Sequence, residues 1–162
     1  MKMDFSLSDL EDLTAAKRRS IQLWADAGVI RAYPRTDRRG TGTHRRFSRD
    51  EAIIGCIIAG LANRQRPIGE LLRLSLVIRD FLNSGKFRKS VEAAIGGKDS
   101  LMALRWGGKE TPEIYVFPRD QLELTLFWEP SLEGDTEFEE IIIIPLRRHL
   151  RRLKVDLLEF DR

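Results

Sequence analysis

Apolar positions along this chain follow a helical period in its first half and a period of two in much of its second. Leu7, Leu10 and Leu13 recur three residues apart behind Ser6, with Asp9 placed to complete a capping box, which predicts a short helix ending near Thr14. A second helix is predicted from Lys17 to Ala27. Ile21 and Trp24 mark its inner side, Lys17, Arg18, Arg19 and Gln22 lie largely opposite, and Gly28 is suited to the residue past its end. Ser48 and Glu51 form a Ser-x-x-Glu box before a third helix through Asn63. Its run of Ile53, Ile54, Ile57, Ile58 and Leu61 is apolar on most sides and implies burial. Pro67 opens a fourth helix to Leu82, stopped by Asn83, Ser84 and Gly85. Between the second and third helices, Tyr33 to Phe47 carries Pro34 and a turn-forming tip from Asp37 to Gly42, and is expected to fold back as a hairpin.

Past Lys86 the pattern changes. Phe87, Val91, Ala94 and Ile95 suggest one more short helix ending at Gly96 and Gly97. Leu122, Leu124, Leu126 and Trp128 then alternate with Glu123, Thr125 and Phe127, the mark of a strand with one face on a core. Ile114 to Phe117 and Phe138 to Ile144 are further strand candidates, and Leu101 to Trp106 a weaker one. After Pro145, Leu146, Leu150, Leu153 and Leu157 draw an apolar stripe backed by Arg147, Arg148, Arg151, Arg152 and Lys154. The expected class is α+β: a mainly helical N-terminal domain, residues 1–84, followed by a small α+β domain, residues 85–162, in which an antiparallel sheet is closed by a C-terminal helix.

With 162 residues, 42% of them apolar, the chain can bury one real core or two small ones. Its single cysteine, Cys56, excludes an intramolecular disulfide and suits a reducing compartment. The N-terminus lacks the apolar segment of a signal peptide, and no apolar run approaches a membrane span, so a cytoplasmic, non-membrane protein is expected. Charge is distributed unevenly. Residues 1–66 carry a net +5, residues 67–108 a net +3 and residues 109–162 a net −5. Between Lys17 and Arg49, ten Lys and Arg stand against two acids, Asp26 and Asp37. Charge concentrated this tightly acts as one positive face and points to a phosphate backbone as partner.

Two short helices, a basic hairpin and a buried helix follow the order of a winged helix-turn-helix, whose second helix enters the major groove and whose hairpin touches flanking phosphates. Lys17, Arg18, Arg19 and Gln22 on the second helix, with Arg38, Arg39, His44, Arg45 and Arg46 on the hairpin, are the candidate contacts with double-stranded DNA. The stretch from Phe5 to about Leu82 resembles the DNA-binding domain of MerR-type transcription regulators. The resemblance rests on Ser20-Ile21-Gln22-Leu23-Trp24-Ala25-Asp26-Ala27-Gly28-Val29-Ile30, similar to that family's recognition helix and its exit. It rests also on His44-Arg45-Arg46-Phe47-Ser48-Arg49-Asp50-Glu51, similar to its wing strand entering the third helix. It implies that Arg45 binds phosphate, that Gln22 takes the family's usual arginine position, and that Trp24 and Phe47 are core. Departures are Ala15, where a turn glycine is common, and Leu23, where a phosphate-contacting aromatic is common. Residues 83–113 also lack the heptads of the family's dimerising helix.

The remaining candidates have plainer readings. Cys56 reads as a small core hydrophobe, His149 as a surface helix residue, and Arg147 to Lys154 as a face neutralised by the acids Glu133, Asp135, Glu137, Glu139 and Glu140. Trp106, Tyr115, Phe117 and Trp128 read as core rather than as a ligand pocket. Without a Gly-rich phosphate loop, zinc-type spacing or a nucleophile–base pair, no cofactor, metal or enzymatic activity is expected. The expected partners are DNA, a second copy paired through the C-terminal half, and a small-molecule or protein effector at the C-terminal domain. The alternative is a MerR-like adaptor or co-chaperone modulator that binds a protein instead of DNA.

Overall fold

Ser6 ends a short strand, β1 (Asp4–Ser6), and caps the helix after it in the computed structural model, which describes residues 4–37, 44–107, 113–121 and 138–158. The Ser6 hydroxyl accepts from the Asp9 amide at 3.2 Å, and the Asp9 carboxylate takes the Ser6 amide at 2.6 Å, so two donors that helix geometry leaves open are satisfied. That helix, α1 (Leu7–Thr14), buries Leu10 and Leu13. It ends on Ala15 at φ 56 and ψ 18, a left-handed conformation that disfavours any side chain with a Cβ. The second helix, α2 (Arg18–Asp26), buries Ile21 and Trp24, and the chain leaves it through Gly28 at φ +77, where glycine is the unstrained choice.

β2 (Arg46–Ser48) pairs antiparallel with β1, setting Phe5 opposite Phe47, and both rings are buried. It leads directly into α3 (Arg49–Ala62), which is buried over nearly its whole length, as its apolar run requires. Ser48 caps α3 by accepting from the Glu51 amide. The second half of the expected box is redirected, because the Glu51 carboxylate takes the Arg31 amide at 2.8 Å and a two-pronged bond from Arg79 at 2.7 and 2.9 Å. Arg79 lies on α4 (Ile68–Asn83) and also donates to the Val29 carbonyl, so one largely buried ion pair ties α4, α3 and the exit of α2 together. Breaking such a pair by removing one partner costs about 3–5 kcal/mol. At Ser84 the backbone turns extended, ending α4 and starting α5 (Gly85–Ile95). Arg88 and Glu92 of α5 hold Asp50 and Arg49 respectively, the first two residues of α3 after the Ser48 cap.

β3 (Ser100–Gly107) is the centre of a three-stranded antiparallel sheet, flanked by β4 (Glu113–Pro118) and β5 (Phe138–Pro145). The weaker strand candidate is therefore the central one. Met102, Leu104, Ile114, Val116, Ile142 and Ile144 share the inner face, while Leu101, Ala103 and Phe117 form a small cluster on the other. The strand expected from Leu122 to Trp128 lies outside the described residues.

The final helix, α6 (Leu146–Leu158), follows β5 directly. Its Leu146, Leu150 and Leu153 are at most 4% exposed and belong to the same apolar core as Leu10, Ile57 and Leu74. That stripe is taken up inside the chain, as a helix closing the sheet requires; the side chain of Leu157 lies outside the described residues. His149, expected on the surface, is half-buried against Gly60, where an added Cβ would lie 2.8 Å from its Nε2. Cys56 is buried, and burial pushes its thiol up to about 12, against a weaker pull from Arg152. Among the described residues no helix is long and apolar enough to cross a membrane.

Candidate nucleic-acid interface

The start of α2 is built against the usual preference of a helix. Lys17 caps it without a side-chain hydrogen bond, and Arg18 and Arg19 occupy its first turn, where the helix dipole is positive and disfavours cations. Helix stability therefore does not account for these residues. Lys17, Arg18, Arg19, Gln22 and Leu23 are all exposed, and Leu23 at 54% is the most exposed large apolar side chain among the described residues. Ile21 and Trp24 anchor the opposite side in the core, so this outer face is held rigidly. Three residues join α1 to α2. Thr14 stabilises the turn by donating to the Leu10 carbonyl and accepting from the Ala16 amide.

The segment after α2 returns alongside β2. Ala32 bridges Phe47, and the Tyr33 amide donates to the Arg46 carbonyl at 2.8 Å. A turn from Tyr33 to Asp37 places the Thr36 hydroxyl where it accepts the Arg46 amide at 3.0 Å. Arg38 and Arg39, at the expected tip, lie outside the described residues.

Arg45 differs from its neighbours. Its side chain is 14% exposed and is held by Asp26 at 2.7 Å and by Asp37 at 2.9 Å. These two carboxylates are the two acids of the Lys17–Arg49 stretch, and both converge on this one arginine. Arg45 thus ties the C-terminal end of α2 to the turn ahead of the hairpin tip. Arg49 is likewise engaged, by Glu92 of α5. Lys17, Arg19, Arg31, Arg35 and Arg46 form no ion pair among the described residues, and Arg18 makes one with Glu11 at 3.3 Å while remaining half exposed.

These elements enclose a cleft of about 260 Å³ lined by Ser6, Leu7, Ser8, Arg18, His44, Arg45 and Arg46. Of the expected contacts, Arg18, His44, Arg45 and Arg46 meet here, whereas Lys17, Arg19 and Gln22 stand on the adjoining outer face of α2 without lining it. The N-terminal turn of α1 is the component that sequence reading missed. The pairing of Phe5 with Phe47 brings it there, a long-range register with no local signal. Tyr115 and Phe117 are partly and fully buried, respectively, and the Tyr115 hydroxyl donates to Glu113; the Trp106 side chain and Trp128 lie outside the description. No protein-family model matches the chain, and comparison with curated proteins likewise finds no match.

Proposed function

We propose that this chain is a sequence-specific DNA-binding transcription regulator whose N-terminal half works as a winged helix-turn-helix of the MerR-like kind. The observation that carries the reading is the joining of exposed cations from two separate elements around one cleft, beside the start of α1: Arg18 on α2, half exposed next to Glu11, and Arg46 on β2, which forms no ion pair among the described residues. α2 enters the major groove, where Arg18, Arg19 and Gln22 reach base edges, and Arg46, His44 and Lys17 take backbone phosphates. Arg45 holds the hairpin against α2. Leu23 stands on the same face and is suited to the methyl group of thymine. Two such modules on a two-fold site supply the specificity that a single one lacks. The sheet and its outer face remain for an effector.

A selection from randomised duplexes tests this. The wild-type protein is expected to return a consensus, and changing Arg18, Arg19 or Gln22 to Ala to cost about 1–3 kcal/mol on it while relaxing particular base pairs. The same consensus from all three variants would show that α2 does not read bases. The competing reading, an adaptor that binds a protein, draws on Leu23, since an exposed leucine also suits an apolar protein contact. Absence of any consensus, with affinity insensitive to salt, would favour it.

A further inference from the structure

The outer face of α4 carries a pattern that folding leaves unused. Leu71, Leu74, Ser75, Ile78 and Leu82 face the core. On the other side Leu76 is 39% exposed, with Leu72 and Val77 half-buried at the margins, while Ile68, in line with Ser75 at the start of the helix, is 37% exposed. Leu76 and Ile68 are two of the five large apolar side chains exposed among the described residues. Arg73 and Asp80 stand on the same face, exposed, and neither forms an ion pair among the described residues. Their neighbours Arg66 and Arg79 on the same stretch do. Arg73 and Asp80 are two helical turns apart, about 10.5 Å along the axis, too far to meet within one helix.

We propose that α4 is a self-association surface, pairing antiparallel with α4 of a second copy about a two-fold axis beside the Leu76–Val77 peptide. In that register Arg73 of each copy lies level with Asp80 of the other, so a single axis satisfies both charges twice. The same axis sets Leu76 against Leu76 of the other copy on one flank and Val77 against Val77 on the other, which puts apolar groups on both sides of the ion pairs. A parallel pairing in register would instead set Arg73 against Arg73 and Asp80 against Asp80. The antiparallel arrangement is therefore the one that the charges of this face select. The stripe on α6 offers no competing surface, since Leu146, Leu150 and Leu153 are buried. This inference does not depend on DNA.

Sedimentation equilibrium of the full-length protein without DNA tests it. The wild type is expected to be a dimer at micromolar concentration. Arg73→Asp and Asp80→Arg should each raise the dimer Kd about tenfold or more, because each sets like charges together. The double reversal, which restores opposite charges in the same register, should return to within about threefold of wild type. Both positions are exposed, so circular dichroism should stay unchanged in all three variants, as should melting at concentrations low enough for every protein to be monomeric. A monomeric wild type, single reversals that leave the dimer intact, or a double reversal as defective as either single would each overturn the proposal. None of these outcomes bears on whether α2 reads DNA, which the duplex selection decides separately.

Discussion

His149 shows how one side chain couples packing to pH. Burial against α3, and then the neighbouring Arg148 and Arg64, hold its imidazole below the ordinary value of 6.5. Between that lowered folded value and 6.5, the unfolded chain binds more protons than the folded one, so stability falls as pH drops through this window and is retained above it. Urea midpoints measured from pH 8 downwards are expected to decline below about pH 6.5 in the wild type, and less steeply in His149→Gln. Equal declines in the two proteins would assign the pH dependence to other groups. At the same scale Ala15 and Gly28 take similar backbone roles with different residues. Both lie in the left-handed region, at φ 56 and φ 77, yet only Gly28 is free of steric cost there.

Among the elements, the hairpin strand and α2 divide their arginines between two tasks. Arg46 is exposed and forms no ion pair among the described residues, whereas Arg45 is clasped by Asp26 and Asp37. An arginine that already has two carboxylate partners releases fewer counterions on meeting phosphate than one that has none. Replacing Arg46 with Ala is therefore expected to flatten the slope of log affinity against log salt by about one, while Arg45→Ala lowers affinity with a smaller change of slope. A full unit lost from Arg45→Ala as well would make Arg45 a phosphate contact, as the family resemblance implied. The same kind of redirection occurs at Glu51, whose spacing from Ser48 announces a local cap but whose carboxylate serves Arg79 and Arg31.

At the level of the whole molecule, one apolar core runs from Phe5 to Leu153, and α6 closes it against α3 and α1. Arg152 reinforces that closure by donating to the Asp12 carbonyl at 2.8 Å. Truncating a fully buried leucine leaves a cavity that neighbours fill only partly, so Leu150→Ala is expected to lower stability by about 2–5 kcal/mol. Because Leu150 packs into the core shared with the N-terminal half, the loss should appear in a single unfolding transition reported alike by Trp24 fluorescence, read in a background with Trp106→Phe and Trp128→Phe, and by far-ultraviolet circular dichroism. Two separate transitions, with only the later residues affected, would mean that the halves fold independently.

Local patterns were enough to define most helices and their ends. Ser6 with Asp9, Ser48 before α3, Gly28 after α2 and the stop at Asn83 to Gly85 act within a few residues, through hydrogen bonds and backbone sterics that the sequence carries by itself. The α+β class, with an antiparallel sheet and a closing helix, was legible for the same reason, since a period of 3.6 or of two is a local property. The concentration of positive charge was also plain, but its distribution among partners was not. Which arginine stays free depends on acids distant in sequence: Glu92 for Arg49, Asp50 for Arg88, Asp26 for Arg45. The fate of the α6 stripe was equally hidden, because amphipathic spacing says that a face will be buried and not against what. Tertiary packing made those choices, since ion pairing and burial depend on distances in space that the order of residues along the chain does not set.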